Sequence, residues 1–314
     1  MSKLGYRRAI IVGFIVVAAI GAAFAAATKK EAKYIGSADC VMCHKSTHKE
    51  LLAAYDKTAH RVAMTDVAKK PEAIVAKFDG DCPVKKEDIK YVLGKGQVYQ
   101  NYLDKDLKLL PGQWDVKTQK WVAIPSVDGA TQCVGCHVTN FKPEAKTWTE
   151  LGVGCESCHG PGGDHADSME AKDIKTLKSL DAKKLNMVCG RCHATGTDMT
   201  GTHAFPTTFM PGDDLTTSFK LTDPGDSMKN RQYNDLMASK HAEGGMKCTT
   251  CHDTHGNKSK AAPQLKLPIN DQCLACHKAT VVSLKAHAPS AAADATCATC
   301  HMVNGSHKFE KVAK

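Results

Sequence analysis

Fourteen of the fifteen cysteines fall into seven C-x-x-C pairs, and each pair is followed at once by histidine. The seven are Cys40-Cys43-His44, Cys133-Cys136-His137, Cys155-Cys158-His159, Cys189-Cys192-His193, Cys248-Cys251-His252, Cys273-Cys276-His277 and Cys297-Cys300-His301. Two thiols on one short turn can add across the two vinyl groups of one porphyrin while the adjacent imidazole reaches its iron. The spacing therefore reads as the c-type haem attachment motif, seven times over. Zinc is the strongest rival, because 18 residues separate Cys136 from Cys155, inside zinc-ribbon spacing. A ribbon, however, needs no histidine after each pair. With 15 His among 314 residues, seven such placements by chance have odds on the order of one in a billion. A disulfide framework fails by the same count. Seven covalent haems are expected, with the seven motif histidines as proximal ligands.

The sixth ligand decides whether each iron carries electrons or opens to substrate. Eight histidines remain for this role: His48, His60, His165, His203, His241, His255, His287 and His307. They suffice for bis-histidine ligation throughout, with one to spare. Methionine is the competing ligand, but none of the eleven recurs at a fixed offset from the motifs. Thr47 to Glu50 reads as a capping box, and Leu51, Leu52, Tyr55, Ala59 and Val62 recur at helical spacing until Pro71. This predicts one helix carrying His48 and His60 roughly 18 Å apart, too far to share an iron. His48 lies four residues after His44, and His255 three after His252, so their partners are expected elsewhere in the chain. Ligands exchanged between neighbouring motifs would stitch the chain into a haem stack.

The N-terminus bears on the compartment. Lys3, Arg7 and Arg8 precede an uncharged apolar run from Ala9 to Ala27, which reads as a signal peptide over 1–27 with small residues at Ala23, Ala25 and Ala27 for cleavage. The rival is an uncleaved anchor, since the run is just long enough to cross a bilayer. The first cysteine, Cys40, lies well beyond it and offers no site for a lipid. Export is expected, to the periplasm first, with an extracellular or membrane-anchored protein as alternatives.

Haem loading is uneven. Region 28–132 has a single attachment site and reads as a small conventional fold, whereas 133–314 holds six. At roughly thirty residues per haem, the second region is expected to use porphyrin faces instead of a side-chain core. The predicted class is thus mainly α and irregular, organised around a stack of seven haems, with a small β meander near 89–124. Its strands are read at Ile89–Leu93, Gln97–Leu103, Gln113–Asp115 and Lys120–Val122, with the tryptophans as core. Gly201 to Thr222 reads as a long loop between haem clusters. An internal echo relates Tyr55-Asp56-Lys57-Thr58-Ala59-His60 to Leu236-Met237-Ala238-Ser239-Lys240-His241, two helices that end near a ligand, the second stopped by Gly244 and Gly245. The leftover Cys82 is expected to pack as a small buried thiol, with an intermolecular disulfide as the alternative.

Tyr34-Ile35-Gly36-Ser37 leading into Cys40-Val41-Met42-Cys43-His44, with Thr58-Ala59-His60 downstream, resembles the opening of the cytochrome c-554 family of multihaem electron carriers. Gly152 to Gly162 and Cys248 to Gly256 are similar to multihaem cytochromes of the same kind. The resemblance implies bis-histidine ligation at most haems, with His60, His165 and His255 as distal ligands. The family's type member has four haems, and His48 has no counterpart in its pattern.

Charge excludes less than it suggests. The chain carries +9, and loss of Lys3, Arg7 and Arg8 leaves +6. Haem propionates bring the holoprotein to about −1 oxidised and about −8 reduced, so the basic balance is no sign of nucleic-acid binding. Three function classes follow. The first is an electron carrier of periplasmic or extracellular anaerobic respiration, with other cytochromes and quinol-oxidising or terminal reductase complexes as partners. The second is an oxidoreductase with one open haem acting on a small nitrogen or sulfur species, although no Ser, Cys or carboxylate constellation marks a catalytic pocket. The third is a subunit of a conducting filament, with an eighth histidine reaching a haem of the next copy.

Overall fold

The computed structural model describes residues 32–225, 230–278 and 284–310, and the expected signal peptide lies outside them. Five strands form an antiparallel sheet in chain order: β1 (Met64–Asp66), β2 (Tyr91–Leu93), β3 (Tyr99–Leu103), β4 (Gly112–Asp115) and β5 (Lys120–Ala123). The four predicted strands are there, the first two beginning two residues later than read and the last two each one residue longer. The first strand has no signal in the sequence, since three residues are too few to show a period. It is held by pairing of Met64 with Leu93 and by Lys90 Nζ at 3.0 Å from Asp66.

Alternation along the strands gives the sheet two apolar faces. Val92, Tyr102 and Trp114 point to one side, with Val84 and Ile89, and Trp121 packs at the margin. Met64, Leu93 and Leu103 point to the other, where they meet Leu107, Ala130, Val134 and Val138. Val134 belongs to the second attachment motif, so that haem-binding turn is fixed on the sheet by apolar contact. Each fully buried side chain of this kind contributes roughly 1.5–3 kcal/mol. Gln100 is buried in the first face with its amide satisfied: Nε2 donates to Ala73 O, and Oε1 accepts from Val75 N and the Tyr102 hydroxyl.

The helix expected from Thr47 to Pro71 is a correction. Only Lys49–Tyr55 is helical, His48 is its N-cap, and no capping box forms. The Thr58 hydroxyl and amide both turn back to Tyr55 O, at 2.7 and 2.9 Å, and end the helix. The next residues are then drawn onto the segment around Gly152: Val153 N donates to His60 O at 2.9 Å. Gly152 has φ +79° and lies so close that a Cβ there would stand 2.2 Å from Arg61 O. His48 and His60 therefore do not share a helix. The echo is real at this point, because Ser239 makes the same pair of bonds to Leu236 O, at 2.7 and 2.9 Å. The helix Lys240–Glu243 ends at Gly244, and Gly245 follows with φ +73°.

Two further expectations change. A side-chain core does exist in part of the haem-dense region, where Met187, Ala194, Phe209, Leu215, Phe219 and Tyr233 cluster. Phe209, Leu215 and Phe219 of this core come from the segment read as a loop, which also forms the strand Phe219–Leu221 paired with Gly196–Asp198. Beyond Ser239, by contrast, only Asp253 and Leu265 are buried among the described residues. That stretch holds three motifs and has little protein interior of its own. Cys82 is half-exposed in a surface loop, with only long contacts to Lys77 O and Asp79 O, and so is no core thiol.

Candidate metal centres

Each motif lies on a short helical turn that ends at or beside its histidine, such as Ser37–His44, Val134–His137, Cys155–His159, Ala182–His193, Ile269–His277 and Cys297–His301. One turn thus carries both thiols and the imidazole, as porphyrin attachment requires. Among the described residues no three or more His, Cys, Asp or Glu side chains converge on a single metal-ion site. The imidazoles come together in twos instead.

Six motif histidines each face a second imidazole, 14 to 133 residues away in the chain. The pairs are His44 with His165 at 6.2 Å between ring centres, His159 with His255 at 6.2 Å and His193 with His60 at 6.0 Å. The others are His252 with His307 at 6.2 Å, His277 with His241 at 5.9 Å and His301 with His287 at 6.0 Å. Two imidazoles on opposite sides of one metal, each with about 2.0 Å from metal to nitrogen and about 1.1 Å from nitrogen to ring centre, stand about 6.2 Å apart. The donor sets therefore fit an iron between each pair.

Orientation supports the same reading. The Nδ1–H groups of His137, His159, His252 and His301 donate to the carbonyls of Ala63, Lys175, Pro263 and Glu310, at 2.8, 2.8, 3.0 and 2.7 Å. On the facing side, His165 donates to Glu170 O and His307 to Gly305 O, each at 3.0 Å. A carbonyl only accepts, so Nδ1 carries the proton and Nε2 is left for a metal. Burial lowers the pKa of His60 and His137, and takes His193 down to about 4 with help from the neighbouring His60, His252 and His307. These rings are neutral at neutral pH, the form that ligates.

Three sequence candidates fall outside the pairs. His137 meets no second imidazole among the described residues. His48 is exposed, its Nδ1 2.7 Å from Thr47 Oγ1, and it touches His44 edge-on at 5.3 Å. His203 is tied to Asp198 at 3.0 Å.

The motifs also meet one another. Cys40 lies beside Cys155, Cys136 beside Cys192, Cys189 beside Cys248 and Cys273 beside Cys297. Cys158 lies near Cys192 and Cys251 near Cys276. Buried polar groups that no motif pattern flags hold these junctions. Glu156, between Cys155 and Cys158, accepts from the amides of Ile35, Gly36 and Gly162 at 3.0, 2.8 and 2.7 Å. Asp235 accepts from Arg231, from the Ser306 hydroxyl and from the His307 amide, fixing the segment that presents His307. Their only sequence signal is a charged residue inside an otherwise apolar or motif-bearing stretch.

Comparison with known proteins agrees. Residues 107–160 match the family model "Cytochrome c554 and c-prime", and residues 240–282 match the doubled CXXCH motif. Cytochrome c-554 of Nitrosomonas europaea is 38% identical over 109 residues, covering 28% of this chain and 46% of that protein. The multiheme cytochrome MtrA of Shewanella baltica is 27% identical over 219 residues, covering 64% of this chain and 54% of that one. The chain thus spans about half the length of these curated relatives. The solved structure of the outer cell wall cytochrome OcwA shares the fold, with a TM-score of 0.72 at 22% identity over 88% of this chain and 79% of that one. Because both family matches fall on its own attachment turns, the chain is a multihaem c-type cytochrome.

Proposed function

We propose that the chain carries seven haems and moves electrons along them outside the cytoplasm, in respiration, between other redox proteins. The observation that carries this is the set of six crossed imidazole pairs at 5.9–6.2 Å. Bound haem supplies a one-electron iron couple. The chain's own residues do the rest: they hold each porphyrin by two thioethers, close both axial positions with neutral imidazoles and keep neighbouring attachment turns in contact. A closed, rigid site changes little on reduction, which suits transfer over chemistry. The thiol contacts suggest a row in the order of the motifs beginning at Cys40, Cys155, Cys189, Cys248, Cys273 and Cys297, with the motif at Cys133 beside the one at Cys189. Among the described residues no helix is long and apolar enough to cross a membrane, and the outer cell wall setting from which OcwA takes its name supports an exported protein.

A second reading rests on His137. With no imidazole facing it among the described residues, the haem at Cys133 and Cys136 would have an open side, where a small nitrogen or sulfur species would bind. Electron paramagnetic resonance of the ferric holoprotein, haem stoichiometry and carbon monoxide binding test both readings. Seven haems per chain are expected, six low-spin and one high-spin that binds carbon monoxide. Fewer than seven haems, or several high-spin centres, would refute the assignment; seven low-spin haems would leave the carrier and remove the open site.

A further inference from the structure

The arginines among the described residues are Arg61, Arg191 and Arg231. Arg61 faces Glu150 at 3.1 Å and Asp56 at 3.6 Å, and Arg231 faces Asp235 at 2.9 Å. Arg191 differs: no carboxylate among the described residues forms an ion pair with it. Its Nε is buried and has no hydrogen-bond partner among them, while Nη1 donates to Ser157 O at 3.2 Å. A buried cation without a counter-charge costs folding free energy, and what surrounds this one is a set of attachment turns.

Arg191 stands between Cys189 and Cys192 on the helix Ala182–His193. Its bond to Ser157 O reaches the turn between Cys155 and Cys158, and its own carbonyl lies 3.9 Å from Cys136 Sγ. One residue thus touches three attachment turns. The guanidinium lies near Cys136, Cys158 and Cys192, the second cysteines of those three motifs. Its other neighbour is Tyr34, whose hydroxyl donates to Met210 Sδ at 3.5 Å. Burial raises the pKa of Tyr34, so it stays a neutral phenol. Glu156, beside Ser157 in the chain, is occupied by the amides of Ile35, Gly36 and Gly162.

We propose that Arg191 is a fixed positive charge that raises the reduction potentials of the haems carried at Cys133, Cys155 and Cys189, so that electrons collect where these three turns meet. The proposal rests on the seven-haem electron-carrier reading. The step is the passage of one electron from a ferrous haem to a ferric neighbour: one iron is oxidised, the other is reduced, and no bond forms or breaks. A guanidinium does not deprotonate in proteins, so no proton enters the step. Thioether formation leaves the three sulfurs neutral, and they do not cancel the charge. An electron about 10 Å from a unit positive charge, at an effective dielectric of about 20, is favoured by on the order of tenfold. Burial shields this attraction from screening by salt.

The test is a potentiometric titration of the full-chain holoprotein, followed by visible haem absorbance with a haem count, for native protein, Arg191→Gln and Arg191→Lys. Arg191→Gln should make a group of three haems harder to reduce by on the order of tenfold each, a fall of about 59 mV, and leave the others in place. Arg191→Lys keeps the charge without the planar fork and should titrate like the native protein. A native titration curve in Arg191→Gln with every haem retained overturns the proposal. So does an equal fall in the glutamine and lysine variants, which would make shape and not charge the cause. If Arg191→Gln loses haem, Tyr34→Glu is measured in its place: a carboxylate brought near the intact Arg191 should lower the same three potentials, and a native curve there overturns the proposal. Fewer than seven haems in the native protein would instead refute the reading on which the proposal rests.

Discussion

Asp235 offers the sharpest test of how the protein interior holds a proposed iron ligand, His307. Its carboxylate is fully buried and accepts from Arg231 Nε and Nη2 at 2.9 and 3.2 Å, from Ser306 Oγ at 2.8 Å and from His307 N at 3.0 Å. The last two tie down a segment some seventy residues away that presents His307 to His252. Asp235→Ala strips the buried Arg231 guanidinium of its carboxylate, which costs roughly 3–5 kcal/mol. It also removes two charge-assisted bonds to the His307 segment, each worth about 1.5–3 kcal/mol. Loss of an outer support of this kind weakens metal ligation about 10–100-fold. The expected result is a lower denaturation midpoint together with a new high-spin signal, from the haem at Cys248 and Cys251, in electron paramagnetic resonance of the ferric holoprotein. Asp235→Asn, which keeps the shape and one accepting oxygen, should fall between. If Asp235→Ala unfolds within ~1 kcal/mol of the native protein and leaves every low-spin haem intact, the argument for this residue as the support of His307 is wrong.

Two further outcomes follow from other parts of the fold. The carboxyl of Asp198, held at about 2 against a usual 3.8, contributes about 2 kcal/mol that is fully present above pH ~4 and lost as pH falls through ~2. Acid unfolding should therefore show native protein and Asp198→Asn far apart at pH 5 and converging towards pH 2; parallel curves would contradict the linkage. At Gly135, an added Cβ would stand 2.2 Å from the buried Phe205 ring. Gly135→Ala should accordingly cost roughly 1–3 kcal/mol by overpacking, seen as a lower thermal midpoint and partly recovered in the double variant with Phe205→Leu. No change in midpoint would mean that the ring moves aside freely.

Much of the protein's chemistry is local and therefore legible without a fold. Two thiols and an imidazole within five consecutive residues define each attachment site, and the Thr58 and Ser239 turns repeat because a hydroxyl three residues beyond a carbonyl can end a helix anywhere. The four strands from Tyr91 to Ala123 show in alternation and turn residues. The first strand does not, because Met64–Asp66 becomes a strand only by pairing with its neighbour. The helix read through His60 fails for a related reason: apolar spacing continues past Tyr55, but a tertiary contact at Gly152 claims the backbone. The core around Phe209, Leu215 and Phe219 is equally hidden, since its members come from a loop without period.

The cofactor class and the residues proposed to bind it covalently are written in the linear chain, because attachment depends only on spacing between neighbours. The pool of eight further imidazoles is visible there too. Which imidazole faces which motif is settled by folding. His44 and His165 lie 121 residues apart in the chain yet 6.2 Å apart between ring centres, and no local pattern encodes that closure. Only packing brings such pairs within one iron's reach, and only packing leaves His137 without a facing imidazole among the described residues.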